Sequence, residues 1–337
     1  MSEKSINISR RGMLQTAAML AGGAAFAMTA GKSLAQPEAQ VQATEAAPSR
    51  DVLKDKRPIL HANGSRFGAY DPHGDFRDEK GDVTEHLFLP WEDVDLSNLG
   101  TADDYAYERG RKLLITIEPW SWDQNWNVSS NLLRQRILSG YYDANMQAIC
   151  DALSGFKCPI TIRWAQEMDN PYGRFTWSLW PPADYIKAFR RMHAIVKKTL
   201  PEAKMMWSPR GEKGLQAYYP GDKFVDIVGL SVFGYEPFDK IEYGAPRSFA
   251  ESVKQGYELS AGFGKPIWVA ELGYEGGKDY LTKWVEEATR KYPEYPALEE
   301  VVYFNDKEVW PWPYGLGLPN WRVVRNAPMY AQRSQRG

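Results

Sequence analysis

Two glutamates stand at matching places in this chain, each just past a short apolar run of the kind a buried strand makes. Glu167 follows Pro159-Ile160-Thr161-Ile162-Arg163-Trp164, and Glu271 follows Pro266-Ile267-Trp268-Val269-Ala270. A carboxylate at the end of a strand sits on rigid backbone yet faces an open end of the sheet. Two of them on different strands are what cleavage of a glycosidic bond requires, one as acid and the other as nucleophile or base. Tryptophan-rich loops lie beside both, and flat aromatic faces suit a sugar ring.

The elements that must position this pair alternate along the chain. Pro58–Ala62, Glu85–Leu89, Leu113–Glu118, Pro159–Trp164, Lys204–Trp207, Val225–Leu230, Pro266–Ala270 and Val301–Phe304 read as strands. Between them lie helical patterns at Leu132–Leu153, Ala183–Leu200, Phe249–Ala261 and Tyr280–Arg290. In the second of these, Tyr185, Phe189, Met192 and Val196 keep the 3.6-residue period. Strands alternating with helices imply a parallel sheet, and eight such units fit an α/β fold of the (β/α)8 TIM-barrel type, a single catalytic domain over residues 57–330. An open doubly wound sheet is the rival, but no G-x-G-x-x-G follows the first strand. In a barrel, Glu167 would follow strand four and Glu271 strand seven, so both would face one cleft at the C-terminal end.

The rest of the composition narrows the reading. With 337 residues, 43% hydrophobic and 25% charged, the chain has ordinary globular usage. A net charge of −2 gives no electrostatic footprint for nucleic acid. Residues 1–35 read as a signal peptide: Ser9-Arg10-Arg11-Gly12-Met13-Leu14 resembles the twin-arginine signature, an apolar small-residue stretch follows, and Ser33-Leu34-Ala35 offers a cleavage site. Twin-arginine export carries folded proteins, so the expected location is the periplasm or outside the cell. Residues 36–56, rich in Ala, Gln, Glu and Pro, read as a flexible spacer. Past the signal, no apolar stretch approaches the roughly 20 residues of a membrane helix, and a monomer is expected. Cys150 and Cys158 flank one helix-to-strand turn, either as a disulfide or as two buried thiols. The four histidines have no metal-ligand spacing, so neither metal nor cofactor is expected. His61 and His86, at the first two strands, could touch substrate.

Arg163-x-x-Gln166-Glu167-Met168-Asp169, followed by Trp177, resembles the R-x-x-H-E-M-N…W signature of glycoside hydrolase family 26. Val269-Ala270-Glu271-Leu272-Gly273 resembles that family's second motif, and Val225-Asp226-Ile227-Val228-Gly229 and Tyr303-Phe304-Asn305 are similar as well. Members of the family are retaining endo-β-glycosidases, many acting on β-mannans, some on mixed-linkage β-glucans or xylans. The resemblance implies Glu167 as acid/base and Glu271 as nucleophile. Arg163 could hold the nucleophile ionised, or could cap the barrel through a salt bridge, while Glu167 must keep a proton near neutral pH.

Two departures from the pattern bear on substrate. Gln166 stands where the family has His. Related barrel glycosidases place an amide there to bond the 2-OH of the sugar, which suits glucose configuration better than the axial 2-OH of mannose. The strand-six tyrosine that normally contacts the nucleophile aligns with Phe233, and Tyr235 is the candidate replacement. Trp91, Trp120, Trp122, Trp177, Trp180, Trp207, Trp310 and Trp312 fall at or beyond strand ends and are candidate sugar platforms, with Trp310 or Trp312 as the floor beneath the reacting sugar. Trp164 and Trp268 lie within strands and read as core, while Glu118 and Asp123 could bind hydroxyls. The leading reading is an exported retaining endo-β-glycosidase of a β-1,3/1,4- or β-1,4-glucan. The alternatives are a β-mannanase and a weakly active or non-catalytic glycan-binding partner of an exopolysaccharide secretion system.

Overall fold

A computed structural model describes residues 50–80, 83–122 and 128–324. Eight strands, β1 (Arg66–Tyr70), β2 (Val83–Pro90), β3 (Lys112–Glu118), β4 (Ile160–Trp164), β5 (Lys204–Trp207), β6 (Ile227–Tyr235), β7 (Ile267–Glu275) and β8 (Leu298–Phe304), pair in parallel in chain order. β8 pairs with β1, so the sheet closes into a barrel with no open edge. Around it lie α1 (Leu99–Glu108), α2 (Ser130–Ser139), α3 (Asp143–Leu153), α4 (Pro182–Thr199), α5 (Glu236–Glu242), α6 (Phe249–Ala261) and α7 (Lys278–Glu287). This is the (β/α)8 barrel that the alternating pattern predicts.

The period-two alternation of the strands sorts side chains between the lumen and the helix layer. At the lower end of the lumen, Leu114, Met206, Ile227, Trp268, Ala270 and Val302 form a separate apolar cluster. One step higher on β3 stands Thr116, and at its upper end Glu118, so the lumen turns polar toward the C-terminal face. Trp164 and Trp268 are core residues, as predicted.

Two elements differ from the sequence reading. The first strand is Arg66–Tyr70, not Pro58–Ala62. Gly68 breaks up the apolar signal there, yet it is required: a Cβ would come within 2.8 Å of the Thr84 carbonyl on the neighbouring strand. Residues 58–62 instead pack on α7, with the Ile59 amide on the Val285 carbonyl and His61 Nε2 on the Glu286 carbonyl. His61 is therefore tied to α7 and takes no part in the site described below. The single helix expected over Leu132–Leu153 is two, α2 and α3, because Gly140 adopts a left-handed conformation (φ 86°) and ends the first.

The signal peptide and most of the expected spacer lie outside the described residues, as does Asp123. The last residues of that spacer, however, are packed. Val52 is buried, and the fully buried Lys56 ammonium donates to the carbonyls of Tyr274 and Asn320 and pairs with Glu275 at 2.5 Å. Cys150 and Cys158 are both buried free thiols. Among the described residues no helix is long and apolar enough to cross a membrane.

Candidate active site

Arg163 organises the upper lumen. Its guanidinium is fully buried and donates to Ser208 Oγ (2.8 Å), Thr116 Oγ1 (3.3 Å), Ser231 Oγ (3.5 Å) and Glu271 Oε1 (2.6 Å). Four different strands or strand ends thus converge on one cation. Below it, His86 is 2% exposed and shares a 2.7 Å hydrogen bond with Thr116 Oγ1. Burial, and then the charge of Arg163, push its pKa well down, so the ring is neutral. His86 is a lumen residue supporting Thr116, not the substrate contact that its position at a strand end suggested.

Glu271 lies within β7, and the pairing explains its aim. The register slips on both sides of Ala270-Glu271: Leu230 pairs with Val269, but Ser231 pairs with Glu271. A bulge of this kind re-aims the next side chain. Glu167 lies three residues past β4, where Ala165 (φ 46°) and Glu167 (φ 53°) both adopt left-handed backbone. Such residues cost about 1–3 kcal/mol each and persist only where the surroundings over-determine them. Here they do. Tyr185 OH donates to the Ala165 carbonyl (3.2 Å), Trp177 Nε1 to the Gln166 carbonyl (2.7 Å), and the Glu167 amide to the Ser208 carbonyl (2.7 Å).

The two carboxylates are each 6% exposed and lie close enough for their charges to act on one another. Burial first, and then the charge of Glu167, push the Glu271 carboxyl up to about 7, with Arg163 opposing both. Glu167 is also penalised by burial, but the charges of Arg174 and Arg210 and donors on Ser231 and Asn170 outweigh it and hold the group below the usual range. Two such groups titrate as a unit, and the pair sheds its last proton near pH 7. The expectation placed that proton on Glu167. In the free site the arginines facing Glu167 favour the other placing.

Two expected outcomes follow. Activity, measured as kcat/KM between about pH 5 and 9, falls tenfold per unit on the basic side as the single proton is lost; Glu167→Gln, assayed on an activated aryl glycoside whose leaving group needs no proton, removes that ionisation. Arg163→Met leaves a buried carboxylate unpaired and lowers unfolding stability by about 3–5 kcal/mol near neutral pH. The loss is smaller at acid pH, because the abandoned carboxyl then takes a proton. Chemical denaturation at two pH values checks both the size and the sign.

The other predicted residues divide. Gln166, 1% exposed, donates from Nε2 to Glu118 Oε1 (2.6 Å), while its Oε1 is buried with no partner. Glu118, which could have bound a hydroxyl, is the anchor of that amide, and burial pushes its pKa up. Trp91, Trp177 and Trp207 are buried and cannot be sugar platforms. Trp91 Nε1 bonds Ser121 Oγ and its ring packs on Tyr142, Trp177 pins the backbone at Gln166, and Trp207 packs against Tyr219 and Phe263. Trp180 is buried as well, with Nε1 on Ser130 Oγ, while Trp122 is exposed. Trp120 is half-buried against Trp177. Trp310 (46% exposed) and the half-buried Trp312 do line the cleft, as does Phe233. Tyr235 does not replace the missing tyrosine: its hydroxyl donates to the Leu316 carbonyl, and its ring packs edge-on against Trp312.

The cleft holds about 320 Å³, and several of its walls had no sequence signal of their own. Arg174 pairs with both oxygens of Glu308 at 3.1 Å, joining the loop after β4 to the loop after β8. Glu308 in turn accepts from the amides of Val309 and Trp310. Asn170 Nδ2 donates to Glu167 Oε2 at 2.7 Å. Asp169 collects the amides of Arg210, Gly211 and Glu212 and fixes the loop after β5. Asp169 closes the motif that begins at Arg163; for the others only their place on the loops after β4 and β8 could have marked them beforehand.

A closed barrel with a carboxylate just past β4 and another on β7, the second held by a buried arginine, is an arrangement suited to cleaving a glycosidic bond. The model of glycosyl hydrolase family 26 matches residues 119–250, from the end of β3 to the start of α6. It is 29% identical over 150 residues to a β-1,3-xylanase of a Vibrio species, covering 40% of this chain and 32% of that protein. It is 23% identical over 241 residues to endoglucanase H of Acetivibrio thermocellus, covering 67% of this chain and 25% of that one. The chain thus spans a third or less of the length of these curated relatives. A solved endo-β-1,4-mannanase from Cellulomonas fimi shares the fold, with a TM-score of 0.56 at 17% identity over 72% of this chain and 65% of that one.

Proposed function

We propose that the protein is an exported endo-β-glycosidase that cleaves a β-linked polysaccharide with retention, using Glu271 as nucleophile and Glu167 as acid/base. The observation that carries this reading is the 2.6 Å contact of Arg163 with Glu271. A permanent cation in contact favours the charged form at Glu271, the form a nucleophile needs. A bound glycosidic oxygen is an acceptor, so it favours the shared proton on the carboxyl that it touches. Substrate binding at Glu167 therefore moves the proton there.

In the first step Glu271 bonds to the anomeric carbon. The carbon–oxygen bond breaks, and the leaving oxygen keeps its electron pair and takes the proton of Glu167. In the second, Glu167 removes a proton from water as its oxygen bonds to that carbon, and the Glu271 carboxylate departs. Retention requires the two carboxyls to stand about 5–5.5 Å apart.

The preferred substrate in this reading is a β-1,3/1,4- or β-1,4-glucan, because the unpartnered Oε1 of Gln166 offers an acceptor to an equatorial 2-OH. Export rests on the twin-arginine-like segment at Ser9-Arg10-Arg11. A glycan-binding role without turnover is the second reading, favoured by Phe233 and Tyr235 leaving Glu271 without a tyrosine donor. Reducing-sugar release from mixed-linkage glucan, cellulose, β-1,3-xylan and β-mannan, with the anomer of the first product read by NMR, tests it. Inverted product or binding without release overturns the mechanism, and release from mannan alone reassigns the substrate.

A further inference from the structure

The loop after β5 is fastened twice to the loop after β4. The Glu167 amide donates to the Ser208 carbonyl (2.7 Å). Two residues further on, the Asp169 carboxylate accepts from three successive amides, those of Arg210 (2.6 Å), Gly211 (3.0 Å) and Glu212 (2.8 Å). Successive amides turned inward make a concave site for an anion, and here a side chain of the protein fills it. Asp169 is 5% exposed, so its carboxylate is committed to the loop and not to solvent. From the other side, Gln255 Nε2 on α6 donates to the Gly211 carbonyl (2.9 Å). Gly211 (φ 113°) lies so close to that helix that a Cβ would stand 3.2 Å from the Gly256 Cα.

This loop reaches both glutamates. Ser208 Oγ accepts from Arg163, which holds Glu271. Arg210 lines the cleft, and its charge acts with that of Arg174 to keep Glu167 below the usual range. The Arg210 side chain pairs with Glu212 and lies 5.0 Å from the ring centre of Tyr172. The amides of both members of that ion pair are ones that Asp169 holds. Burial pushes the Asp169 carboxyl up to about 6 and the charge of Glu167 adds to it, with the amides opposing both, so the group is ionised at neutral pH. Tyr185 on α4 and Tyr218 in the loop after β5 face it as neutral phenols.

We propose that Asp169 is a positioning residue: by holding the amides of Arg210, Gly211 and Glu212 it places the Arg210 guanidinium against Glu167 and so sets the proton affinity of the glutamate pair. The proposal rests on the glycosidase reading for its link to rate, while the titration itself can be read without turnover. Loss of Asp169 has two consequences of opposite sign. Removing a negative charge beside Glu167 eases ionisation of the pair, whereas releasing Arg210 removes a positive charge and hinders it.

A double-mutant cycle of Asp169→Asn with Arg210→Met separates the two. Asparagine keeps the shape of the side chain but sets one acceptor oxygen and a donor against three donors. The readouts are the midpoint of the basic side of the kcat/KM profile, on the glycan that the panel selects, and the carbon-13 shifts of the Glu167 and Glu271 carboxyls over the same pH range. With Arg210 present, Asp169→Asn is expected to raise the midpoint; with Arg210→Met in place it is expected to lower it. The gap between the two backgrounds should be about half a unit or more, roughly threefold in kcat/KM at a pH above the midpoint. Equal shifts in the two backgrounds, or a gap of the opposite sign, overturn the proposal, because Asp169 then acts through its own charge or through stability alone. Asp169→Glu keeps the charge and displaces the oxygens, so its midpoint should rise with Arg210 and stay fixed without it. That variant takes the place of Asp169→Asn in the cycle if the asparagine protein does not fold. Carboxyl titrations that follow the expected pattern in a protein that releases no sugar from any glycan would end the glycosidase reading and leave the hold of Asp169 on Arg210 standing.

Discussion

Glu271→Ala is expected to abolish turnover of polysaccharide, by about 10⁴-fold or more in kcat, because no covalent intermediate can form without it. Its removal also strands Arg163, whose other partners are three neutral hydroxyls on Thr116, Ser208 and Ser231. A buried unpaired cation is costly. Glu271→Gln therefore accompanies it, since the amide keeps an acceptor facing Arg163 but cannot attack carbon. Azide fills the space left in the alanine variant and should restore turnover of an activated aryl glycoside, giving the glycosyl azide of inverted configuration. Glu167→Ala behaves differently. It should cost about 10²–10⁴-fold on the polysaccharide, the usual worth of a positioned general acid, and little with a leaving group that needs no proton. Wild-type rates in either variant would end the assignment of roles. So would azide rescue in the Glu167 variant with inversion, which would exchange them.

The strands that carry chemistry were legible because they are buried on both faces. Pro159–Trp164 and Pro266–Ala270 read as near-continuous apolar runs, as parallel barrel strands should. β1 was not, because its sequence Arg-Phe-Gly-Ala-Tyr spends one position on a glycine demanded by the Thr84 backbone. The pair Glu167 and Glu271 stood out by position, but the means of aiming them did not. A bulge at Ala270 and two left-handed residues after β4 depend on pairing partners distant in the chain. The tryptophans show the same limit from the other side. Trp91, Trp177 and Trp207, like Trp312, sit at or beyond strand ends, and residue type alone cannot say which side of the barrel wall a ring takes. Arg174 and Glu308 are 134 positions apart, and only closure of the barrel makes them one wall of the cleft.

Substrate choice should turn on Gln166. Its Nε2 is committed to Glu118, so the amide cannot rotate freely, and Oε1, buried without a partner, is the acceptor that the proposed reading assigns to a sugar hydroxyl. A fixed acceptor discriminates by where the hydroxyl lies: an equatorial 2-OH that meets it gains a hydrogen bond, and an axial one leaves it buried and bare. Sites built on such a bond can reject a wrong substrate by up to about 10⁴–10⁵ when the hydroxyl is missing altogether, and an epimer that merely moves it should be penalised less. The expected result is a higher kcat/KM on gluco- than on manno-oligosaccharides of equal length. Gln166→Ala should then lower the glucan value by about 5- to 150-fold, corresponding to roughly 1–3 kcal/mol for the acceptor lost. The mannan value should change less, so preference narrows from the glucan side. Gln166→His should narrow it from the mannan side too, since imidazole can present a donor where the amide presents an acceptor. A glucan-to-mannan ratio that stays constant across these variants would show that the loops, and not Gln166, read the sugar. Activity on mannan alone in the unaltered protein would overturn the glucan assignment.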